Sequence, residues 1–447
     1  MSRTASRAGG TFTRRSLFGA LGAVGMLPGV RAARAADRPT VTVWTWQDSV
    51  GVAALEDVAS AFNAAQDGIR VEIVRRPAVY STFQLLNTIR DGLGPDLAVG
   101  GRGLLAERDA LGILEDLAPL LPGVDPAIEL NRDFLPFAAQ EVQIGGRVVG
   151  IPLETSVRVL AFNRSVLSDA GMDLAEWDPA NGPVTFERLG EIAQGLDRND
   201  ASGGYARLGY VPGFGEGSAY QYLAAWGASY WDEGHCAFTV DTPEVRAAIG
   251  WVREDQQHLD GSRMDAFFMR NGGVTVPAGT PFVTGEIVFA LARGEDLRAI
   301  AQLKPDFELG ATFVPVPSAG AASRSWATGN AISLMTGAKH PAEAMRFVAY
   351  LVDMNVLDRY CLALGSLPSR KTVPPAVLEG LALPSFIPDW VLPTAVPSPP
   401  VPIATQFQDL LLGAWVDMAQ GTVDIASGVA ALQSDATQAL ADSGSCA

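Results

Sequence analysis

The chain has 447 residues, 48% of them hydrophobic, and a formal net charge of −16. That length exceeds one ordinary core and predicts two domains. The acidic balance argues against nucleic acid or an anionic lipid surface as a partner, because both need a basic face.

The first residues read as an address. Thr13-Arg14-Arg15-Ser16-Leu17-Phe18 leads into an uncharged run from Leu17 to Val30, and Ala33-Arg34-Ala35 forms an A-x-A cleavage site. This is the pattern of a twin-arginine signal peptide over residues 1–36. The run is shorter than the roughly 20 residues of a membrane span. No Cys follows it, so the expected mature chain starts near Ala36 or Asp37, soluble, monomeric and outside the cytoplasm. The segment carries six Arg and no acid, so the mature chain would hold 27 basic and 49 acidic residues, a net charge of −22.

Strands and helices then alternate. Val41-Thr42-Val43-Trp44 is a β-branched run of period two. Val52, Leu55, Val58, Ala59 and Phe62 recur at helical spacing and predict a helix from about Gly51 to Ala65. Ile69 to Val74 reads as a second strand, and Phe83, Leu86 and Ile89 mark a second helix. Asp96 to Gly101 is a short buried strand ending on glycines. A βαβαβ order with short connections predicts a parallel sheet flanked by helices. Ligands bind beyond the carboxyl ends of such strands, which marks the loops Trp44 to Asp48 and Gly100 to Arg102.

Val148 to Phe162 reads as a broken strand that leaves the first domain and enters a second. A helix follows from Thr185 to Leu196, with Thr185 as N-cap. Ser202 to Gly217 is Gly-rich and reads as loop. Helices are expected around Tyr220 to Trp226 and Pro243 to His258, and Leu309 to Val314 returns as a strand. Pro341 to Asp353 is a strong amphipathic helix with Pro in its first turn. Pro384 to Pro402 holds seven prolines and predicts an extended linker. Helices close the chain from Gln406 to Ala441.

Cys236, Cys361 and Cys446 permit one disulfide with three pairings open. Neither they nor His235, His258 and His340 have the spacing of metal ligands, and no cofactor motif is present, so no metal and no cofactor are expected.

Nine segments in order resemble the extracellular solute-binding proteins of ABC importers, in particular the carbohydrate-binding family that includes maltodextrin-binding proteins. They are Val41 to Trp44, Phe62-Asn63 with Gly68 to Glu72, Gly94 to Leu97, Gly146 to Pro152, Arg158 to Asn163, Phe282 to Leu291, Trp326 to Ile332, His340 to Ala344, and Gly365 to Arg370. Phe162 stands where that family commonly has Tyr. The resemblance implies an α/β, two-lobed periplasmic-binding-protein fold with parallel-core sheets and crossover strands as hinge. It places residues 37–155 and 312–355 in an N-terminal lobe and 156–311 and 356–447 in a C-terminal lobe. It implies capture of a carbohydrate in the interlobe cleft by hinge closure and delivery to ABC permease subunits in the membrane.

A sugar pocket wants aromatic plates for C–H faces and planar hydrogen-bonding groups for hydroxyls. Trp46, Gln47 and Asp48 follow the first strand and are candidate contacts, with helix capping as the alternative for Asp48. Arg102 follows Gly100-Gly101. Glu154, Thr155 and Arg158 lie at the crossover, where a Glu154–Arg158 pair would serve vicinal hydroxyls. Trp226 and Trp231 are candidates that compete with core roles; Trp44 and Trp251 read as core. Trp326, Gly329 and Arg370 complete the set.

Two alternative ligand classes use the same residues. A phosphorylated sugar or glycerol phosphodiester would want Arg102, Arg158 and Arg370 to converge. A polyamine would want Asp48 and Glu154 around Trp46. An exported carbohydrate-active enzyme needs a carboxylate pair at defined separation, but no G-x-S-x-G, H-E-x-x-H or phosphate loop appears. Binding without catalysis is therefore the expectation.

Overall fold

Two sheets organise the chain, each covered by helices. The computed structural model describes residues 38–77, 82–124, 127–271 and 281–446. Residues 1–36, whose pattern is that of a signal peptide, lie outside these residues. The first sheet has the order Arg70–Arg75, Thr40–Thr45, Leu97–Gly101, Asn330–Leu334, Ile151–Pro152. Its first three strands are parallel; Asn330–Leu334 runs antiparallel to its neighbours. The helix between the first two strands spans Ser49–Ala65 and buries Leu55, Val58, Ala59 and Phe62. That is the face its apolar spacing predicts. Each such fully buried side chain contributes about 1.5–3 kcal/mol relative to exposure.

The second sheet places Arg158–Asn163 between Phe289–Arg293 and Leu309–Thr312, with antiparallel ladders on both sides. Parallel contacts near it are single bridges, such as Leu208–Ile287, Gly215–Leu291 and Thr185–Val316. All six residues of Arg158–Asn163 are buried, which explains a strand without polar alternation.

Packing defines where the chain changes lobe. One apolar cluster joins Val41, Leu55, Phe62, Val99, Leu153, Ile332 and Phe347. Val157, Val159, Ala327 and Leu367 belong to another, and Leu160, Phe289, Val314, Phe407 and Leu432 to a third on the opposite side of the second sheet. Three segments therefore cross: near Leu153–Val157, Trp326–Ala331 and Ser366–Ser369. They lie side by side, since Glu154–Thr155 pairs with Leu367–Pro368 and Ser156 bridges Thr328. Helix Met354–Leu364 gives Val356, Leu357, Tyr360 and Cys361 to the first cluster. That helix thus packs with the first cluster beyond position 356, and Val314 packs in the third cluster rather than the first.

Several expectations need adjusting. The run Val148 to Phe162 is four short strands, Arg147–Val148, Ile151–Pro152, Glu154–Thr155 and Arg158–Asn163, because it serves four different sheets in turn. The Pro-rich stretch from Pro384 is not uniformly extended: Ile387–Val391 and Leu392–Thr394 are short helical turns. Pro388 and Pro393 stand in their first turns, where a missing N–H costs nothing. The helices at the C-terminus, Ala404–Ala419 and Ile425–Ser443, pack on the third cluster. A disulfide joins Cys236 to Cys446 across 210 residues, and Cys361 is a buried free thiol.

Candidate functional site

A cleft of about 810 Å³ lies where the three crossings meet. One wall comes from strand ends of the first sheet: Trp46, Gln47, Asp48, Gly100 and Gly101. The facing wall comes from Arg293, Glu295 and Asp296 after strand Phe289–Arg293 and from Thr405, Gln408 and Asp409 on helix Ala404–Ala419. Glu154, Asn330 and Ser366 form the floor. A smaller cavity of about 170 Å³ shares Gly101, Leu104 and Gln408 with it and is lined by Tyr220, Tyr230, Trp326 and Phe407. A polar chamber thus adjoins an aromatic one. A third cavity of about 870 Å³ lies elsewhere, among Phe62, Met345 and Tyr350, and draws no residue from the crossings.

Trp46 follows the first strand, partly buried, with the Arg108 guanidinium 4.9 Å from its ring centroid. Gln47 donates from Nε2 to the Tyr360 hydroxyl at 2.9 Å. Asp48 caps helix Ser49–Ala65 by accepting from the Gly51 amide at 2.9 Å, so the capping alternative holds while the residue still lines the cleft.

Glu154 is 4% exposed, and its Oε1 accepts from the Asn330 amide at 3.0 Å and from the Asn330 side chain. Its Oε2 is buried with no hydrogen-bond partner among the described residues. Burial pushes this carboxyl above its ordinary range, against the pull of Asn330 and Arg102. A buried polar oxygen without a partner costs about 1–3 kcal/mol, so an incoming donor there recovers that cost. Across the cleft, Glu295 accepts from the Ser156 hydroxyl at 2.9 Å, and burial pushes its carboxyl up to about 6.

The expected Glu154–Arg158 pair does not form. Arg158 donates instead from Nη2 to Glu216 at 2.9 Å and from Nη1 to the Thr328 hydroxyl at 2.7 Å. Strand Arg158–Asn163 starts beyond the crossing, so its first side chain points into the second lobe's own charged cluster. Thr155 is also internal: its hydroxyl donates to the Thr328 carbonyl at 3.2 Å.

Arg102 is committed to protein groups, with 0% side-chain exposure. Nε donates to Glu141 at 2.6 Å, Nη1 to the Glu154 carbonyl at 2.6 Å, and Nη2 to the Thr328 carbonyl at 3.2 Å. Gly329 makes room for this: a Cβ there would lie 2.1 Å from the Glu154 carbonyl oxygen and 2.3 Å from Arg102 Nη1.

Trp326 lines the aromatic chamber, stacks on Tyr220 at 5.0 Å and donates from Nε1 to Ser398 at 3.0 Å. The remaining candidates lie elsewhere. Trp226 stacks on Phe186 at 4.6 Å, and Trp231 meets Phe238 edge-on at 5.0 Å; both belong to the third cluster. Arg370 sits over the Phe134 ring at 5.5 Å, in a bridge with that residue, outside both chambers.

Sequence reasoning missed Arg108, Arg293, Glu295, Asp296, Asn330, Gln408, Asp409 and Tyr220. Arg108 is buried deeply enough to lower its pKa to about 10. Nothing local marks these residues, because the facing wall is assembled from helices far apart in the chain. Among the described residues no group of His, Cys, Asp and Glu is arranged to hold a metal ion, and no helix is long and apolar enough to cross a membrane.

Comparisons agree on the fold. The chain matches mannotriose-bound CpMnBP1 with TM-score 0.74 at 18% identity, covering 89% of this chain and all of that one. It matches the cyclic alpha-maltosyl-1,6-maltose binding protein from Arthrobacter globiformis with TM-score 0.70 at 19% identity, covering 91% and 100%. It matches the ABC substrate-binding protein Lmo0181 from Listeria monocytogenes, in complex with cycloalternan, with TM-score 0.73 at 16% identity, covering 91% and 100%. No curated protein matches the sequence. Residues 57–382 match the family model for bacterial extracellular solute-binding proteins, and the chain belongs to that family.

Proposed function

We propose that this protein captures a di- or oligosaccharide between its lobes, outside the cytoplasm, and delivers it as a monomer to the membrane permease of an ABC importer. The observation that carries the reading is Glu154: a buried carboxyl lining the polar chamber, with one oxygen tied to Asn330 and the other without a partner among the described residues. A sugar hydroxyl can donate to that oxygen and so supply the partner it lacks. The adjoining aromatic chamber, lined by Trp326, Tyr220, Tyr230 and Phe407, offers apolar surface for the C–H groups of a second ring. The structural relatives named for mannotriose, cyclic maltosyl-maltose and cycloalternan support a carbohydrate. Binding rather than catalysis is the activity proposed. Export through the Arg14-Arg15 segment is the route we infer from its pattern.

A second reading is favoured by one observation. Asp48, Glu154, Glu295, Asp296 and Asp409 line the polar chamber against Arg108 and Arg293. Arg293 is already paired with Asp296 at 2.9 Å and Arg108 lies over Trp46. That balance suits a ligand bearing a positive nitrogen. The anionic alternative loses its basis, since Arg102 and Arg158 are spent internally and Arg370 lies outside both chambers. Calorimetric titration with neutral and amino-bearing saccharides at two ionic strengths separates the readings: only a charged ligand weakens markedly with salt.

A further inference from the structure

We propose that Arg102 is a positioning residue that couples occupancy of the cleft to the angle between the lobes. The proposal rests on the reading of the cleft as a saccharide site closed by lobe movement. It assigns Arg102 no ligand contact of its own.

Lobe closure turns the chain at each crossing by changing a few backbone dihedrals. Backbone pairs join the first crossing to each of the others, Glu154–Thr155 to Leu367–Pro368 and Ser156 to Thr328, and one side chain reaches all of them at once. Arg102 ties all three. Its Nη1 donates to the Glu154 carbonyl at 2.6 Å in the first crossing, to the Asn330 carbonyl at 3.4 Å in the second, and to the Ser369 hydroxyl at 3.3 Å in the third. Its Nη2 reaches the Thr155 hydroxyl at 3.4 Å and the Thr328 carbonyl at 3.2 Å. The guanidinium is planar and permanently charged, so these acceptors share one rigid plate. The bond to the Glu154 carbonyl is short. The Nη2 bond to Thr155 and those to the second and third crossings are long, at 3.2–3.4 Å. Rotation of the second and third crossings toward the plate shortens them, which favours the state that does so.

The same plate is wired to both chambers. The Glu154 carbonyl binds Arg102 while its carboxyl lines the polar chamber. In the aromatic chamber, Trp326 Nε1 donates to the Ser398 hydroxyl at 3.0 Å, and the Ser398 amide donates to Glu141 Oε1 at 3.1 Å. Glu141 Oε2 then accepts from Arg102 Nε at 2.6 Å. A ligand that bonds to Glu154 or presses on Trp326 moves groups attached to Arg102. A buried ion pair adds little net stability over an apolar pair of the same volume, so the contribution of Arg102–Glu141 lies in the geometry it imposes.

The test measures the distance distribution between spin labels on exposed positions of the two lobes, Glu56→Cys and Asp435→Cys, without ligand and with maltotriose or mannotriose. Arg102→Gln is expected to broaden the ligand-free distribution and to need about tenfold more saccharide for the same shift. Arg102→Lys, which keeps the charge and loses the fork, should restore part of both. Ser398→Ala should keep the ligand-free width and lose part of the saccharide-induced shift. A folded Arg102→Gln protein with wild-type width and wild-type shift, altered only in melting temperature, overturns the proposal. Should Arg102→Gln fail to fold, wild-type width in Arg102→Lys together with a wild-type shift in Ser398→Ala overturns it instead. A wild-type protein that responds to no saccharide defeats the saccharide reading, and the ligand-free widths of the Arg102 variants still decide whether this side chain couples the lobes.

Discussion

The Arg158 guanidinium lies 4.4 Å from the centroid of the Trp326 ring while its Nη1 donates to the Trp326 carbonyl at 3.1 Å. The ring is thus held from one face by a cation and from another by Tyr220 at 5.0 Å. A ring fixed in this way loses little freedom when a ligand packs against its remaining, partly exposed edge. Trp326→Ala should weaken saccharide binding by about 1–3 kcal/mol, measured by calorimetry. Trp226→Ala, in the third apolar cluster, should lower the melting temperature and leave affinity for the folded protein unchanged.

Glu154→Gln keeps the shape and the Asn330 contact but replaces an oxygen by an amide donor. If Oε2 accepts from a ligand hydroxyl, affinity should fall at least tenfold, about 1.4 kcal/mol. Unchanged affinity would place the carboxyl outside the recognition set.

Glu295 carries a pH signature. Its carboxyl has an ordinary pKa of 4.5 and is raised to about 6 in the fold, chiefly by burial. The folded state therefore holds this proton more tightly than the unfolded one. Stability from this group is fully present below pH 4.5 and is lost as pH rises to about 6. The loss is about 2 kcal/mol at most. Glu295→Gln should flatten that part of the stability profile, read by urea unfolding at several pH values.

Asp255 offers a stronger case away from the site. It is 6% exposed, its Oδ2 has no partner among the described residues, and burial raises its pKa to about 7 with Asp197 adding to the rise and His258 opposing it. By the same sign, its ionisation costs stability as pH climbs toward 7. Asp255→Asn should stabilise the protein above neutrality by about 2–4 kcal/mol. No gain in melting temperature at pH 8 would contradict this.

The Cys236–Cys446 disulfide closes most of the second lobe's chain. Reduction should cost about 2–5 kcal/mol of stability. Denatured, unreduced protein should expose one reactive thiol, that of Cys361, and titration finding none or several would contradict the pairing.

Much of the first lobe was legible because its strands and helices are consecutive. Val41 to Trp44 and the Val52–Phe62 stripe carry their periods in the local sequence, and the loop holding Trp46, Gln47 and Asp48 follows from the parallel-sheet rule. The second lobe hid more. Its central strand Arg158–Asn163 is buried throughout, so no alternation shows, and its partners at 289–293 and 309–312 are more than a hundred residues away. The cleft wall at Glu295, Gln408 and Asp409 depends on that packing. Arg102 was found as a residue at the right strand end. Its hydrogen-bonding network was not legible because the acceptors Glu141, Thr328 and Ser369 come from distant segments.

The central claim is tested most directly by a thermal-shift and calorimetric titration of the protein with mannotriose, maltotriose and their amino-bearing counterparts. A ligand at 100 times its dissociation constant adds about 2.7 kcal/mol to stability. The account predicts that a saccharide raises the melting temperature and that Glu154→Gln and Trp326→Ala each reduce the rise. Saccharides that leave the melting temperature unmoved, or a rise that both variants retain in full, would contradict it.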